Sequence, residues 1–280
     1  MSSLDLYNEV SAECSKGVTK MYSTSFSSGI RLFHKSIRSP IYSIYGFVRI
    51  ADEIVDTFHD YDQHAIFDLF RDNLRIDFKN GISTNPVLNA YIQISQKYDI
   101  PMEYTEAFLD SMEMDLEMKT FTREEYDRYI YGSAEVIGLM CLKVFTHHIP
   151  GEFEKLKFSA QKLGAAFQKI NFLRDFKSDL KERGRVYFPN VKDFEFDQTI
   201  KKEIEKEISN DFDSALQGIM ELPKEAKLGV FIAYNYYRKL LNKLVQSKPE
   251  EIQTSRIRVG DFRKFVILGS TVFKYKTNLL

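Results

Sequence analysis

The chain has 280 residues, of which 39 are Lys or Arg and 40 are Asp or Glu, so its formal net charge is −1. This balance argues against a nucleic-acid-binding protein, which usually concentrates a basic excess on one face. Hydrophobic residues make up 44% and charged residues 28% of the chain, which is typical of a globular protein and excludes a disordered one.

Apolar periodicity and proline positions predict one helical domain over residues 1–280. Pro40, Pro101, Pro150 and Pro223 each stand at or near the start of an apolar-periodic segment, where proline suits the first helical turn. Strand signals are poor, and only residues 184–189 are expected to form a short extended piece. In chain order, we predict helices over 4–24, 41–60, 64–79, 86–98, 103–119, 123–147, 151–177, 198–222, 224–244 and 258–278.

The cysteine content and the N-terminus favour a cytoplasmic protein. Cys14 and Cys141 cannot build a disulfide framework, and neither lies in a metal-ligand spacing. The first residues lack the basic and apolar regions of a secretory signal. The most apolar runs, around 136–145 and 265–273, are shorter than the roughly 20 residues that cross a bilayer. We therefore expect a cytoplasmic protein, at most peripheral to the inner face of the membrane.

A narrow polar stripe runs along the predicted helix 41–60. At about 100° per residue, Tyr45, Arg49, Asp52 and Asp56 fall within about 60° of one another. Most other positions of this helix are apolar, which predicts that it is buried. Carboxylates in a buried helix are costly unless a cation pairs with them or binds them.

A second stripe begins in the predicted helix 151–177. Gln168, Asn171, Asp175 and Asp179 fall within about 80° of one another on the same geometry. Three cations stand beside or just after these residues, namely Arg174, Arg183 and Arg185. Acidic pairs four residues apart also occur at 203–211, but there they alternate with lysines and predict a solvated helix face.

Two interpretations fit this pair of stripes. Mg²⁺ takes oxygen ligands and is usually held by one or two carboxylates together with substrate phosphates, so facing carboxylates favour metal-bridged diphosphate binding. Bound Mg²⁺ and the four arginines, Arg49, Arg174, Arg183 and Arg185, would then neutralise a departing diphosphate. The alternative is purely structural, with buried Asp–Arg ion pairs that join two helices. The sequence has no glycine-rich phosphate loop, which argues against an ATPase or a dinucleotide-binding fold.

Aromatic residues add a second hint, since the chain holds 23 Phe and 16 Tyr. A diphosphate that leaves an allylic carbon leaves a carbocation behind. Aromatic faces stabilise a cation by about 0.5–2 kcal/mol each, and a dry pocket protects it from water. Most of these rings are nevertheless expected to pack in the core.

With these motifs in view, the sequence resembles the squalene/phytoene synthase family, the head-to-head prenyl transferases, over most of its length. The first aspartate-rich motif of the family is matched by Tyr45, Phe47, Arg49, Asp52 and Asp56. The second motif is matched by Gln168, Asn171, Arg174, Asp175 and Asp179. The arginine-rich tail that follows it, residues 183–189, is matched by Arg183, Arg185, Tyr187 and Pro189. Further matches are the segment 129–138, the pair Ser25 and Phe26, and Tyr237 and Arg256 near the C-terminus.

The resemblance implies an all-α isoprenoid-synthase fold, a single helical domain around a central cavity. It also implies a role for each matched residue. The metal ligands would be Asp52, Asp56, Asp175 and Asp179. Diphosphate or metal contacts would come from Arg49, Gln168, Asn171, Arg174, Arg183, Arg185, Tyr237 and Arg256. Phe26, Tyr45 and Tyr129, with Arg49, would surround the reacting centre.

Two segments depart from the family pattern. Relatives often have Val-Ala-Gly where this chain has Ser133, Ala134 and Glu135. The role of the extra carboxylate is open, and it is expected either to face solvent or to bond a neighbouring Tyr. Basic or His residues that some relatives place before the Ser-Phe pair are here Tyr22 and Thr24. This weakens any transfer of a diphosphate contact to the N-terminal helix.

The reaction implied is the condensation of two geranylgeranyl diphosphates, through a cyclopropylcarbinyl diphosphate, to 15-cis-phytoene. Mg²⁺ is the expected cofactor, with Mn²⁺ as an alternative, and NADPH is not expected. A squalene or dehydrosqualene synthase that uses two farnesyl diphosphates is the alternative. A catalytically inactive assembly factor is a third hypothesis, against which the intact aspartates, Gln168 and Asn171 speak. The expected partners are prenyl diphosphates and a membrane surface, without nucleic acid, and the sequence specifies no oligomeric state.

Overall fold

The computed structural model describes residues 2–191, 196–258 and 271, and over these residues the protein is built from helices. The helices are α1 (Ser3–Tyr22), α2 (Thr24–Ile30), α3 (Lys35–Thr57), α4 (Gln63–Asn80), α5 (Pro86–Lys97), α6 (Met102–Glu117), α7 (Arg123–Ile130), α8 (Val136–Thr146), α9 (Glu152–Glu182), α10 (Gln198–Glu221), α11 (Lys224–Gln246) and α12 (Pro249–Thr254). A π-helical turn, Tyr131–Glu135, joins α7 to α8. The all-α class is confirmed, whereas the predicted helix 258–278 lies almost wholly outside the described residues.

Local signals explain several of the helix ends. Ser2 and Asp5 form a capping box at the start of α1, and the Asn85 side chain caps α5 just before Pro86. Gly81 ends α4 with a φ of +74°, a backbone conformation that a residue without Cβ adopts at little cost. One expectation about proline was wrong, because α3 begins at Lys35 and Pro40 lies inside the helix.

Two apolar clusters position the two motif helices. One cluster surrounds α9 and includes residues of α10 and α11 together with the segment 186–191. The other surrounds α3 and includes residues of α4, α5, α6 and α8. The extended piece predicted at 184–189 is present, since Val186 pairs with Thr120 in an isolated parallel bridge. That bridge carries the arginine-rich tail from the end of α9 back toward α6.

A close helix contact fixes α3 from its other side. α1 buries small polar side chains, Ser11, Ser15 and Thr19, against its neighbours. At Gly46 of α3, an added Cβ would lie 2.9 Å from the Cβ of Ser15, closer than real Cβ atoms approach. Glycine at this position therefore lets α1 pack tightly against the helix that carries the first motif.

No apolar run was expected to be long enough to cross a membrane, and the helical stretch 123–146 departs from that expectation. By length and composition alone, this one stretch of the described residues qualifies as a membrane span. However, 56% of its most apolar window is buried inside the protein, where it packs against α6 and α9. A core helix meets the same criterion, and the packing here is that of a core helix.

Candidate functional site

The two aspartate motifs meet at the C-terminal ends of α3 and α9. The guanidinium of Arg183 lies 3.0 Å from a carboxylate oxygen of Asp56 on α3 and 2.9 Å from one of Asp179 on α9. A single side chain therefore bridges the two stripes that the sequence places far apart. The two motifs therefore face each other, which is the arrangement that the diphosphate interpretation requires.

On α3, Arg49 pairs with the carboxylates of Asp52 and Glu53 on the same helix. The ring of Tyr22, at the end of α1, lies 4.4 Å from the guanidinium of Arg49 in a cation–π contact. Burial raises the pKa of Asp52 to about 7, and the neighbouring Asp56 adds to this rise while Arg49 opposes it. The first motif is thus a row of carboxylates only partly neutralised by its own arginine.

On α9, the residues of the second motif contact one another and two residues that lie later in the chain, Tyr237 and Arg256. Arg174 donates to Asp175 at 3.0 Å, and Arg256, beyond α12, lies 2.6 Å from the same carboxylate. The Tyr237 hydroxyl of α11 donates to Asn171 at 3.3 Å. Gln168 accepts a long hydrogen bond of 3.5 Å from the Asn171 amide. Residues predicted from the family motif are therefore brought together here.

The arginine-rich tail closes the site between the two helices. Arg185 is only 7% exposed, and it lies 2.9 Å from a carboxylate oxygen of Asp56. Burial raises the pKa of Asp179 to about 7, although Arg183 opposes the rise. Two of the four predicted metal ligands thus bind a proton more readily than ordinary aspartates do.

The predicted aromatic residues fall into two separate groups. Phe26 and Tyr45 stack at the α2–α3 contact with their ring centroids 4.6 Å apart, and Phe26 is 42% exposed. Tyr129, in contrast, is 3% exposed and packs against Phe172 and Tyr187. The structure therefore does not bring Tyr129 into contact with the Phe26–Tyr45 pair.

Two carboxylates at the site were not singled out in the sequence, Glu53 and Asp115. Glu53 is the second partner of Arg49 and lies next to a motif residue, so the acidic pair at 52–53 was a visible signal. Asp115 lies in the buried stripe of α6, three residues after Met112 and seven after Phe108. A carboxylate in that apolar register was also a signal, but the motif pattern gave no reason to look on α6.

The open role of Glu135 is now clearer. Its carboxylate accepts a hydrogen bond of 3.0 Å from the Gln161 amide of α9. Burial raises the pKa of Glu135, and Lys162 opposes the rise. The partner of Glu135 is thus neither of the two expected from the sequence, which were solvent and a neighbouring Tyr. The extra carboxylate instead links the π-helical turn to α9.

The carboxylates provide the donor type that a hard divalent cation requires. In the described part of the chain, no three His, Cys, Asp or Glu side chains converge in a geometry that holds a metal ion. The carboxylates are instead paired with guanidinium groups, and Arg183 lies between the two motifs. Asp56 and Asp179 nevertheless both contact the Arg183 guanidinium, and carboxylate oxygens such as theirs are the ligands that Mg²⁺ prefers. By donor chemistry, the residues present fit Mg²⁺.

The sequence model of the squalene/phytoene synthase family matches residues 19–263. The chain belongs to this family. A 4,4'-diapophytoene synthase of Staphylococcus haemolyticus is 25% identical over 282 residues, which cover 92% of this chain and 95% of the relative. A chloroplastic phytoene synthase 1 of Solanum lycopersicum is 26% identical and is matched over 95% of this chain and 68% of the relative.

Solved structures agree with this family assignment at the level of the fold. A dehydrosqualene synthase crystallised with a ligand has a TM-score of 0.81 at 20% identity, covering 96% of this chain and 98% of that one. A squalene synthase from Alicyclobacillus acidocaldarius has a TM-score of 0.73 at 19% identity, covering 85% and 94%. The predicted isoprenoid-synthase fold is confirmed. The squalene/phytoene synthase family consists of prenyl transferases of isoprenoid and carotenoid biosynthesis, and the chain is a member of it.

Proposed function

We propose that this protein condenses two geranylgeranyl diphosphates head to head to 15-cis-phytoene, with Mg²⁺ as its cofactor. The observation that carries the proposal is the bridge of Arg183 between Asp56 of the first motif and Asp179 of the second. Facing carboxylates with interleaved arginines are suited to bind metal ions and a polyanion together. A purely structural ion pair would require only one charged side chain on each helix, whereas α3 and α9 each contribute several charged side chains to this site.

Four carboxylates would hold the metal, Asp52, Asp56, Asp175 and Asp179. Mg²⁺ bound there supplies positive charge that neutralises the diphosphate as it leaves. The side chains of the chain itself have a complementary task. Arg49, Arg174 and Arg183 lie among these carboxylates, and each is suited to bind phosphate oxygens.

The reaction balances without an added reductant. In the first half, the C1–O bond of one substrate breaks, diphosphate leaves, the double bond of the second substrate attacks C1, and a proton is lost. The product of this half is the cyclopropylcarbinyl diphosphate. In the second half, the remaining diphosphate leaves, the carbon skeleton rearranges, and a second proton is lost. A hydride from NADPH in place of that second proton loss would give the reduced, squalene-type product.

The aromatic side chains would act on the cationic carbons. Tyr45 lies one turn before Arg49 on α3, and Phe26 of α2 stacks on it, so an allylic C1 beside a diphosphate held by Arg49 would lie near this pair. Their ring faces would stabilise positive charge there. Tyr129 would act through an electron-rich ring held within the buried aromatic group of Phe172 and Tyr187.

A second candidate substrate is favoured by a specific observation. A relative whose length is almost wholly matched is named for 4,4'-diapophytoene, and a solved structure with the same fold is named a dehydrosqualene synthase. These names support the alternative of two farnesyl diphosphates. The head-to-head condensation is common to both proposals, and only the chain length differs between them.

Peripheral contact with the inner face of a membrane, from the cytoplasm, is part of the same proposal, because prenyl substrates and their products are apolar. Leu6, Val10 and Met21 of α1 are exposed, Met21 by 85%. An exposed apolar set on one helix is suited to shallow insertion into a bilayer. Flotation of the protein with anionic vesicles tests this contact, and recovery of all protein at the bottom of the gradient would reject it.

The decisive experiment incubates the purified protein with labelled geranylgeranyl or farnesyl diphosphate and Mg²⁺, with and without NADPH. We expect a C40 hydrocarbon from geranylgeranyl diphosphate without NADPH, identified by its mass. Turnover of farnesyl diphosphate alone would support the second candidate. Turnover of neither substrate would reject both and favour the non-catalytic assembly factor.

A further inference from the structure

A buried carboxylate outside both motifs connects the arginine-rich tail to the predicted reacting centre. Asp115 of α6 has a side chain that is 5% exposed. Its Oδ2 accepts a hydrogen bond of 2.7 Å from the Tyr129 hydroxyl, and its Oδ1 accepts one of 2.9 Å from the Tyr187 hydroxyl. Arg185 lies 3.5 Å from the same Oδ1. Three side chains from two segments of the chain, α7 and the arginine-rich tail, thus converge on one carboxylate.

The contacts of Arg185 extend this cluster to the first motif. Its Nη1 lies 2.9 Å from Asp56 and 3.5 Å from the Tyr187 hydroxyl. An unbroken series of polar contacts therefore leads from Tyr129, through Asp115 and Arg185, to Asp56. By contrast, the buried carboxylate of Asp211 contacts two lysines, Lys169 at 2.6 Å and Lys162 at 3.5 Å, and so serves to join α10 to α9.

We propose that Asp115 is a positioning residue for the reaction: it fixes the direction of the Tyr129 hydroxyl and holds Arg185 against Asp56. This inference rests on the proposed function, because it concerns how the site is arranged for a diphosphate and a cation. Asp115 touches neither of these in the proposal, and it acts only through Tyr129 and Arg185.

The hydrogen bond determines what Tyr129 can offer to a neighbour. The Tyr129 proton is committed to Asp115, so its oxygen can only accept a further hydrogen bond, and its ring gains electron density from the adjacent carboxylate. Burial raises the pKa of Tyr129 well above its ordinary value, and the Asp115 charge adds to the rise, so the phenol stays protonated. Tyr129 is therefore held as a neutral, electron-rich ring.

The charge of Asp115 also limits how strongly Arg185 attracts an anion. Replacing this carboxylate with an amide removes one negative charge 3.5 Å from the guanidinium. The site then becomes more positive, and it should hold diphosphate more tightly while it orients the reacting groups less well. The variant is thus expected to lower kcat without raising KM, a combination that general loss of structure would not give.

The test compares Asp115→Asn with Asp211→Asn, a matched control in which a similarly buried carboxylate of α10 pairs with Lys169 and Lys162 of α9. For Asp115→Asn we expect a fall in kcat of at least about thirtyfold with KM unchanged or lower, and for Asp211→Asn a kcat within about twofold of wild type. Equal effects of the two variants on kcat would overturn the inference.

A double-mutant cycle with Tyr187→Phe provides a second measurement. Tyr187→Phe keeps the carboxylate but removes one of its partners, and we expect it to lower kcat by about three- to tenfold. The double variant should be no worse than Asp115→Asn alone, because the two changes act through the same carboxylate. Additive effects would contradict the inference. If Asp115→Asn does not fold, an unchanged kcat in Tyr187→Phe would overturn the inference by itself.

Binding of inorganic diphosphate separates this inference from the proposed function. Calorimetry with Mg²⁺ and inorganic diphosphate requires no turnover, so it also applies if neither prenyl substrate reacts. We expect Asp115→Asn to bind diphosphate about three- to tenfold more tightly than wild type, and Asp211→Asn to bind it equally. Weaker or unchanged binding by Asp115→Asn would overturn the positioning role whether or not the wild type turns over a prenyl substrate.

Discussion

Asp179→Asn is expected to stabilise the metal-free protein while it removes a predicted metal ligand. Asp179 is largely buried, and burial raises its pKa from 3.8 to about 7 although Arg183 lies 2.9 Å away. A rise of about three pKa units corresponds to an upper limit of about 4 kcal/mol. Because Asp175 and Asp56 contribute to the rise and would themselves adjust, we expect about half of it, about 2 kcal/mol.

The sign of the pH dependence follows from the raised pKa. Between about pH 4 and 7 the folded protein binds more protons at Asp179 than the unfolded chain does, so wild-type stability falls as the pH rises through this range. The amide of the Asp179→Asn variant does not titrate. The stability difference between variant and wild type should be near zero below about pH 4 and largest above about pH 7.

Thermal unfolding in EDTA across this pH range measures the difference. For a chain of this size, about 2 kcal/mol corresponds to a melting temperature about 4 °C higher for the variant at pH 8. Added Mg²⁺ should raise the wild-type melting temperature more than that of the variant, since the variant has lost a ligand. A variant that is less stable than wild type in EDTA at pH 8, or a difference that is independent of pH, would refute the reasoning.

Two further predictions concern the motifs and their support. Asp52→Asn and Asp175→Asn should each lower product formation at least about a hundredfold. For Asp52→Asn we also expect a melting temperature equal to or above that of wild type, because Asp52 then no longer repels Asp56. Activity that survives both changes would show that these residues hold no metal. Gly46→Ala should cost about 1–3 kcal/mol in chemical denaturation, because its Cβ would lie 2.9 Å from that of Ser15. Gly17→Ala, which has open space around it, is the control, and Ser15→Gly should recover most of the loss.

The sequence was informative where a helix had an apolar stripe and a defined boundary. The stripe on α3 predicted both a buried helix and a shared direction for Arg49, Asp52 and Asp56, and the structure has both. α2 was missed because Thr24–Ile30 is a short run of mostly small and polar residues without apolar periodicity. The π-helical turn was missed for a different reason. An added Cβ at Gly132 would lie 2.0 Å from the Ala107 carbonyl oxygen, a tertiary contact that no local pattern reveals.

The sequence predicted which residues belong to the site, but it did not predict which of them form ion pairs with one another. Spacing along α3 and α9 showed which oxygens share a face, yet it did not show that Arg183 would bridge Asp56 and Asp179, or that Arg185 would turn back to Asp56. That return depends on Val186, whose bridge to Thr120 fixes the tail after α9. Asp115 becomes a neighbour of the tail only through this connection. Contacts between distant segments thus set the part of the site that local periodicity could not supply.

The same arginines explain how a chain of net charge −1 can prepare a site for a polyanionic ligand. In the structure, Arg183 and Arg185 are bound to Asp56, so the carboxylates neutralise guanidinium groups that would otherwise repel one another. If divalent cations and a diphosphate bind there as proposed, the cations would compete for the same carboxylates, and each arginine released would gain a phosphate oxygen in exchange. Charge would then stay balanced within the site, and neither the buried carboxylates nor the buried guanidinium groups would be left unpaired. We therefore expect metal and diphosphate to bind cooperatively, and each to bind weakly without the other.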